Sequence, residues 1–477
     1  MEFPPAAKNL LKKIFLFSKT KKKALFIVGG FLRDALLRQN KESLDIDFCL
    51  NKGAINFGRK LARHLRAGFV VLDKEHGACR AVKKIGDKEH TLDFTDFRAK
   101  TLKEDLRLRD FTINTFALPL DALFTKNKPF DFIVDPYGAI KDLKGKLIRV
   151  ASRKSFDDDA LRILRAYSFA CMFNFKIEPG TLKLIRQKKK KLSEISGERV
   201  RDELFKILSC SNACEYFKKM DVSGVLKTIF PEIEMMRDLA QGPYHHLDVL
   251  KHTFETIGQL EAIFTDFKDD REVQDYLNEN LCAQRRRFAL MKLAAFLHDI
   301  GKPKALRHEE GKLKFHGHER IGLDFTQEIS LRLKLSNDER QALGKMVLWH
   351  LRPGYLADHV PPSARAIFRY FRDTAQESLA TLLLSLADQR ATKGPLTTRT
   401  SRLRHEKLIT SLIKEYFRRK NEKKLPRLIT GDDLIKRFKL SPSPLIGKIL
   451  REIEELQAIG KIRSEKEALA AAARIIP

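Results

Sequence analysis

The segment LDIDFCL at residues 44–50 constrains the fold more than any other stretch of this chain. Aspartates alternate in it with large apolar residues, and in a β-strand the side chains at i and i+2 point to the same face. Asp45 and Asp47 should therefore project together, while Leu44, Ile46 and Phe48 pack in the other direction. The pattern predicts a half-buried strand that carries two neighbouring carboxylates.

Paired carboxylates predict a metal site. Two such groups repel each other, and a divalent cation relieves the repulsion. Their hard oxygens suit Mg²⁺, which also takes phosphate oxygens, so the pair can position a nucleoside triphosphate and activate an attacking hydroxyl. Gly29 and Gly30 precede the helical run FLRDALLR and would let backbone N–H groups approach a phosphate, where Arg33 adds positive charge. The alternative is an exposed strand end beside an unrelated glycine turn.

The charge of the chain favours a polyanionic partner. Lys plus Arg is 92 against 62 for Asp plus Glu, a formal net charge of +30. Such a surplus favours nucleic acid first and an anionic membrane surface second. No apolar stretch approaches the roughly 20 residues that span a bilayer. Lys12 and Lys13 interrupt the apolar patch near the N-terminus, so no signal peptide is expected.

Cysteine usage indicates a reducing compartment. The six cysteines form no CxxC pair, and most lie in apolar segments. We therefore expect buried, reduced thiols in a cytoplasmic protein, with neither a zinc site nor a disulfide framework.

Length and patterning predict an α+β chain of several domains. Residues 1–150 carry short apolar runs typical of strands between helical patterns: LFIVGG, LDIDFCL, FVVLD, TLDFTDF and FDFIVDPYG. Residues 151–235 and 236–395 indicate two helical domains. Residues 396–477 indicate a basic linker followed by a small helical module, which opens with Thr430-Gly431-Asp432-Asp433.

Five segments in order resemble the motifs of the class II tRNA nucleotidyltransferase and bacterial poly(A) polymerase family, part of the polymerase-beta nucleotidyltransferase superfamily. They are GGFLRD with LDIDF, EDLRLRDFTINTFA (104–117), FIVDPYGAIKDLKGKLIRV (132–150), FDDDALRILRAYSFA (156–170) and ISGERVRDELFKIL (195–208). The resemblance implies a head with a mixed sheet and a helical neck. It implies Mg²⁺ on Asp45 and Asp47, and triphosphate and sugar contacts by Arg109 and Asn114. Asp93 is either a third acidic residue near the metals or an exposed strand position.

The fourth motif predicts a base-reading helix. At 100° per residue, Asp158, Asp159, Arg162 and Arg165 would span about 120° of one helix. A carboxylate beside guanidiniums offers the acceptors and donors that a base edge requires, whereas the plain alternative is an acidic cap followed by surface ion pairs. The resemblance implies that Asp159 and Arg162 read the base, and that Arg165 supports them or binds phosphate.

The chain departs from the family pattern at three positions. Leu108 stands where the family usually has an arginine, Asp158 where it has glutamate, and Ala139 where it has glycine. Leu108 bears on the triphosphate contacts. Asp158 shortens a side chain beside the selecting residues, which leaves the choice between CTP and ATP open.

A second constellation lies downstream. His252, the pair His298-Asp299 and Asp388 follow one another in the order H…HD…D, with His318 and His350 between them. Imidazoles and carboxylates from several helices can bind a divalent metal and leave positions open for water and phosphate. The order resembles the HD phosphohydrolase superfamily, which implies trimming of 2′,3′-cyclic phosphate or 2′-phosphate on RNA ends. A retained scaffold without turnover is the alternative.

Basic runs and the C-terminal segment complete the RNA-binding hypothesis. RQKKKKL (186–192) and residues 396–427 favour phosphate contacts. Residues 428–457 resemble the tail module of tRNA nucleotidyltransferases that carry an HD domain, which implies a grip on the tRNA body through shape and backbone.

These features favour an enzyme that adds CMP and AMP from CTP and ATP to the tRNA 3′ end without a template. The nearest alternatives are a poly(A) polymerase and an enzyme that adds only CC or only A. Alternatives of other classes are a metal-dependent HD phosphohydrolase with an RNA-binding head, and a non-catalytic RNA-binding protein.

Overall fold

The computed structural model describes residues 5–39, 43–359, 361–422 and 426–476. Every predicted site residue lies within these ranges, whereas residues 423–425 of the basic run lie outside them. Within these ranges no helix combines the length and apolar character needed to cross a membrane. The chain divides into two compact units, Met1–Glu203 with Val222–Ile229, and Leu204–Asp221 with Phe230–Pro477. The four predicted domains, whose boundaries are finer than this division, stay a prediction.

The head is built around a six-stranded mixed sheet in the order β3-β4-β5-β2-β1-β6, in which β2 and β5 are parallel and the other pairs antiparallel. Its strands are β1 (Phe26–Val28), β2 (Asp45–Leu50), β3 (Gly68–Asp73), β4 (Ala78–Ile85), β5 (Lys88–Asp96) and β6 (Ala117–Pro119). Its helices are α1 (Pro5–Thr20), α2 (Gly29–Leu36), α3 (Ala54–Leu65), α4 (Leu102–Arg107), α5 (Ala122–Thr125) and α6 (Ala139–Lys144), with 3-10 turns at Thr112–Asn114 and Pro129–Phe132.

One face of the sheet is covered by α3. Phe48 stacks on Phe94 with ring centroids 5.0 Å apart, and Phe57 of α3 meets Phe94 edge-on at 5.5 Å. Gly58 permits this close packing, because a Cβ there would lie 2.6 Å from the Cys79 sulfur. The aspartates that alternate with these residues therefore face the other side of the sheet.

The strand prediction was right for four of its five runs. FDFIVDPYG forms no strand: Pro129–Phe132 is a 3-10 turn, and only Val134 makes an isolated bridge, to Ala117. Pro129 fits the first turn of a helix, where no backbone N–H is required. The last strand is instead the short, fully apolar β6, and the half-polar β4 was also missed.

The neck region is helical apart from one short parallel pair of strands. Its elements are β7 (Leu147–Ile148), α7 (Ser155–Asp158), α8 (Arg162–Phe173), β8 (Lys176–Ile177), α9 (Pro179–Lys188), a 3-10 turn (Lys189–Glu194), α10 (Gly197–Leu208), α11 (Ala213–Ser223) and α12 (Val225–Ile229).

The HD region is helical with two small hairpins. Its elements are a 3-10 turn (Pro231–Met236), α13 (Val249–Asp266), α14 (Arg271–Leu277), β9 (Asn280–Cys282), β10 (Arg285–Arg286), α15 (Arg287–Leu297), α16 (Lys302–Ala305), β11 (Arg307–Glu309), β12 (Lys312–Lys314), α17 (His318–Arg332), α18 (Asn337–Trp349), α19 (Arg352–Asp358), α20 (Ala364–Thr374), a 3-10 turn (Ala375–Glu377) and α21 (Ser378–Ala391).

The segment predicted as a basic linker is instead helical. Residues Arg399–Asn421 form α22, whose apolar residues Ile409, Leu412, Ile413 and Phe417 are buried. Their spacing of three to four residues gives the helix an apolar stripe that the charge of the segment concealed. The predicted helical module follows as α23 (Gly431–Phe438), α24 (Pro444–Ala458) and α25 (Glu465–Ala473) around its own apolar cluster, and a capping box of Thr430 and Asp433 opens it.

Candidate active sites

The structure brings three carboxylates together on the open side of the head sheet. Because β2 and β5 are parallel and in register, Asp47 lies beside Asp93, and Asp45 lies beside Thr91, whose hydroxyl donates to it. We call Asp45, Asp47 and Asp93 the carboxylate face. Hard oxygens from neighbouring strands fit a divalent cation.

The electrostatics of Asp47 support such a site. Burial raises the pKa of Asp47 to about 6, and the charges of Asp45 and Asp93 act in the same direction, while Arg109 and Arg80 oppose them. A bound divalent cation would remove this penalty on the ionised form. The carboxylate face therefore has the donor chemistry and the unbalanced charge that a cation would satisfy.

Asp93 differs from the other two carboxylates in forming an ion pair with a neighbouring guanidinium. Arg80 on β4 donates to both of its oxygens at 2.7 Å. This bidentate pair fixes Asp93 beside Asp47 and brings a guanidinium onto the carboxylate face. Arg80 was missed from the sequence, although its alternation with Cys79 and Ala81 in an apolar run was a usable signal.

The glycine pair lies against this face. Gly29 has a φ of +71°, and a Cβ at this position would lie 2.7 Å from Asp47 Oδ2 and 3.3 Å from Arg109 Nη1. Only glycine fits both the backbone angle and the space. The Arg109 guanidinium therefore lies close to Asp47, and its predicted contact with the triphosphate stays a prediction. Gly30 follows as the second residue of α2.

Arg33 and Asn114 lie in a buried network. Arg33 donates to Asp34 at 2.6 and 2.9 Å and to Asn114 at 2.9 Å, and its guanidinium lies over the ring of Phe173. Asn114 in turn donates to Asp110 at 2.9 Å. In this structure both side chains tie α2 to the segment after α4, so their predicted contacts with the triphosphate and sugar stay predictions.

The base-reading segment is not one helix. The helix α7 ends at Asp158, Asp159 is extended with φ −155° and ψ 107°, and α8 begins at Arg162. The break arises because the Asp159 carboxylate accepts the backbone N–H of Leu161, a local bond that competes with the helix. The shared helical face predicted for Asp158, Asp159, Arg162 and Arg165 is therefore wrong.

The break nevertheless brings Asp159 and Arg162 to defined positions. Asp159 accepts a 2.8 Å bond from Arg199, which the sequence analysis did not single out. Arg162 donates to the carbonyl of Leu108 at 3.0 Å and to the Ser155 hydroxyl at 3.0 Å. The main-chain carbonyl of Leu108 thus holds Arg162 in position, although the Leu108 side chain is exposed.

Arg165 and Asp158 have more exposed surroundings than this pair. Arg165 is exposed, forms an ion pair with Asp110 at 3.2 Å and lies over the ring of Phe169. Asp158 is exposed and, like Leu108, lines a cavity of about 1080 Å³ between the head and neck segments of this unit.

The second constellation converges in the HD region. His252 Nε2 lies 2.9 Å from Asp388 Oδ1, and His298 Nε2 lies 3.1 Å from Asp299 Oδ2. These side chains come from α13, from the end of α15 and from α21. They belong to two overlapping groups that could each bind a metal ion. One group is His252, His298 and Asp388, and the other is His298, Asp299 and His350. All four residues predicted as an HD site are therefore brought together.

The structure adds His318 and His350 to that site. Their Nε2 atoms lie 3.3 Å apart, at 3.3 and 3.8 Å from Asp299 Oδ1. In both rings, as in His298, Nδ1 lies within hydrogen-bond distance of a backbone carbonyl, which leaves Nε2 directed at the cluster. The sequence offered these histidines only as intervening residues.

The charged groups inside the cluster shift the pKa values of their neighbours. Burial would raise the pKa of Asp299, but His298 and Lys302 hold it well below the usual value. Lys302 lies 2.7 Å from Asp299 Oδ2. Burial, together with His298 and His318, lowers the pKa of His350 to about 3, so His350 is neutral and able to act as a ligand at physiological pH. The donor set fits a divalent transition metal.

Comparison with known proteins agrees with this geometry. The chain matches the family models for the Poly A polymerase head domain (residues 25–149), the RNA and SrmB-binding site of polymerase A (174–236), the HD domain (249–393) and tRNA nucleotidyltransferase domain 2 (401–473).

Similar proteins cover nearly the whole chain. It is 30% identical to the A-adding tRNA nucleotidyltransferase of Deinococcus radiodurans, over 93% of this chain and 94% of that protein. It is also 30% identical to the CC-adding tRNA nucleotidyltransferase of Geobacter sulfurreducens, over 93% and 90%. The structure of the Thermotoga maritima CCA-adding enzyme complexed with tRNA matches 99% of this chain and 96% of its own, with a TM-score of 0.64 and 25% identity. The chain therefore belongs to the tRNA nucleotidyltransferase and poly(A) polymerase family and is a nucleotidyltransferase.

Proposed function

We propose that this enzyme adds CMP and AMP from CTP and ATP to the 3′ end of tRNA without a nucleic-acid template. The observation that carries the proposal is the position of Gly29 and of the Arg109 guanidinium beside Asp47 on the carboxylate face. Together they provide a cation site and a phosphate site side by side. The A-adding, CC-adding and CCA-adding relatives support tRNA as the acceptor.

Asp45 and Asp47 are the proposed ligands of Mg²⁺. When bound, the ion supplies Lewis acidity that favours ionisation of the RNA 3′-hydroxyl and offsets charge on the triphosphate. The 3′-hydroxyl gives up its proton to solvent and its oxygen forms a bond to the α-phosphorus. The bond from that phosphorus to the oxygen shared with the β-phosphorus breaks, and pyrophosphate leaves. Arg109 offers positive charge to the triphosphate beside Asp47.

Asp159 and Arg162 are the proposed base readers. Arg199 and the Leu108 carbonyl fix their orientation, so acceptors and donors are presented without a nucleic-acid partner strand. The site thus has the parts that nucleotide choice without a template requires. Poly(A) addition and addition of CC or A alone remain alternatives, since relatives of both partial types are equally similar.

The number of nucleotides added can be measured directly. Transcripts of tRNA that end before CCA, after C and after CC would be incubated with Mg²⁺ and CTP, ATP or both, and extension read at single-nucleotide resolution. We expect growth that stops at CCA, and no growth with the Asp45→Ala, Asp47→Ala control. A stop at CC, or growth only from CC, would indicate a partial enzyme, and a long A ladder would indicate a poly(A) polymerase. No extension would overturn the proposal.

We further propose that the HD region hydrolyses phosphate esters at RNA ends. The supporting observation is the convergence of His252, His298, Asp299 and Asp388 on overlapping metal groups. Release of phosphate from 2′-phosphate RNA, and opening of 2′,3′-cyclic phosphate, would be assayed with Mn²⁺, Co²⁺ and Ni²⁺. Loss of the activity in Asp388→Asn is expected. No hydrolysis with any metal would leave the alternative of a non-catalytic scaffold.

A cytoplasmic location fits these proposed substrates. The structure of the described residues has no disulfide among the six cysteines, four of which are buried, and this suits a reducing compartment.

A further inference from the structure

The two helices α1 and α3 form one surface of the head. Phe17 of α1 contacts Phe57 and His64 of α3, with ring centroids 5.6 and 5.0 Å apart. Phe57 packs against Phe94 in the sheet, on the side opposite the carboxylate face. The surface therefore lies behind the sheet as seen from the proposed reaction site.

This surface is densely positive. It exposes twelve lysines and arginines on α1, α3 and the residues that flank them: Lys8, Lys12, Lys13, Lys19, Lys21, Lys22, Lys23, Lys52, Arg59, Lys60, Arg63 and Arg66. We call this set the basic surface. Neither residues 5–33 nor residues 48–72 contain a single Asp or Glu.

The positive charge is largely unbalanced within the protein. Lys8 has an interaction of its own, and the other eleven cations of the basic surface form no ion pair with a described carboxylate. Asp121 lies among them, since it lines a small cavity together with Lys19, Lys22 and Lys23. Lys23 donates to the Lys52 carbonyl and links the two segments. Because the two segments that carry these cations contain no Asp or Glu of their own, the described surface has a strong positive field.

The surface lacks the features of a membrane anchor. A helix that lies in a membrane interface exposes an apolar face. In α1 most of that face is already used, because Leu10, Leu11 and Ile14 are at most 4% exposed, and Leu16 is exposed at 55%. The exposed side of the helix is mostly lysine, which suits phosphates that stay in water.

We propose that the basic surface binds an RNA phosphate backbone, as a contact separate from the 3′ end that is extended. The inference rests on the proposed function only in taking RNA as the polyanion. Lysines and arginines spread over two helices contact phosphates without reading bases, so the contact is independent of sequence. It adds affinity and leaves the chemistry at Asp45 and Asp47 unchanged.

The test removes four charges from the surface. The variant Lys12→Gln, Lys19→Gln, Lys60→Gln, Arg63→Gln is compared with a control that loses four exposed cations of the other unit, Lys268→Gln, Lys304→Gln, Arg307→Gln, Lys312→Gln. Both have the same net charge. The Kd for a tRNA transcript that lacks CCA is measured by filter binding between 50 and 200 mM KCl, after thermal unfolding has shown that both variants are folded.

We expect weaker binding by the first variant only. Each lost phosphate contact lowers the slope of log K against log salt by about 0.7 to 0.9, so four contacts lower it by about 3, with at least a tenfold rise in Kd at low salt. At saturating tRNA, kcat for nucleotide addition should match the unaltered enzyme. Equal affinities and slopes for the variant and the control would overturn the proposal.

Two further outcomes separate this proposal from its rivals. Co-sedimentation with phosphatidylglycerol vesicles that is lost in the variant, with tRNA affinity unchanged, would assign the surface to membranes and overturn the proposal. If the unaltered enzyme extends no tRNA, the proposed function fails, but a difference in salt slope between variant and control still supports RNA binding by the basic surface.

Discussion

At the scale of single residues, the ionisation of Asp47 sets the conditions under which the carboxylate face can bind a cation. Burial is the main reason why the pKa of Asp47 is about 6 in the folded protein, against 3.8 in the unfolded chain. Between these two pH values the folded protein keeps a proton on Asp47 that the unfolded chain has lost. Ionised Asp47 therefore destabilises the metal-free protein above about pH 6, and the penalty fades as the pH falls towards 4.

Replacing Asp47 by Asn should remove this penalty. We expect Asp47→Asn to stabilise the protein in EDTA at pH 8 by up to about 3 kcal/mol, and to give a smaller gain at pH 5. Thermal unfolding at both pH values measures the difference, and Asp45→Asn, which removes a neighbouring charge and leaves the buried carboxylate in place, should give a smaller gain. An equal gain at the two pH values would contradict the assignment of the penalty to ionisation. Both variants should lose nucleotide addition.

Gly29 and Gly30 offer a matched pair of substitutions at the same scale. In Gly29→Ala the new Cβ meets Asp47 Oδ2 at 2.7 Å, and the positive φ adds about 1 kcal/mol of strain. In Gly30→Ala the nearest atom is Arg33 Nη2 at 3.4 Å, an ordinary contact. We expect kcat/KM for nucleotide addition to fall by about 100-fold in the first variant, since a shift of about 1 Å at reacting groups has such a cost. Less than a threefold change is expected in the second, and similar losses in both would argue against the steric explanation.

At the scale of elements, the alternation of apolar and polar residues correctly predicted strands that bury one face. In β2, Ile46 and Phe48 are fully buried and Asp45 is exposed, as the pattern of the segment predicted. Residue patterns predicted the wrong structure where a local hydrogen bond or a tertiary contact determines the conformation. The Asp159 carboxylate breaks the helix expected over 156–170, and the buried stripe of α22 lies in a segment whose charge suggested a linker. His318 and His350 reach Asp299 only because α17 and α18 bring them there, which no spacing along the chain could show.

The break between α7 and α8 gives the neighbouring residues Asp158 and Asp159 different surroundings. Asp159 is fixed by Leu161 N and Arg199, whereas Asp158 is exposed. We therefore expect Asp159→Ala to raise KM for the nucleotide by about tenfold and to reduce discrimination between CTP and ATP, since a charge-assisted hydrogen bond contributes about 1.5–3 kcal/mol. Asp158→Ala should change neither by more than about twofold. Competition assays with both nucleotides measure the effect, and equal behaviour of the two variants would remove Asp159 from base reading.

At the scale of the whole molecule, the two candidate sites lie in different compact units, each with its own ligand set. A metal that binds the folded HD cluster and not the unfolded chain stabilises it by about 2.7 kcal/mol at 100 times its Kd. The carboxylate face contributes nothing to this stabilisation, because none of its side chains belongs to the HD cluster. The two functions should therefore be separable by substitution.

We expect His298→Ala with Asp388→Asn to abolish the rise in melting temperature that Mn²⁺ or Co²⁺ produces, while CTP and ATP are still added to tRNA at the unaltered rate. Asp45→Asn with Asp47→Asn should show the reverse, with no addition and the metal-dependent rise preserved. Differential scanning calorimetry and single-nucleotide extension on the same preparations measure both properties. If loss of the HD ligands also stopped nucleotide addition in a folded protein, the cluster would be a structural requirement of the polymerase reaction, and independent chemistry in the HD region would lose its support.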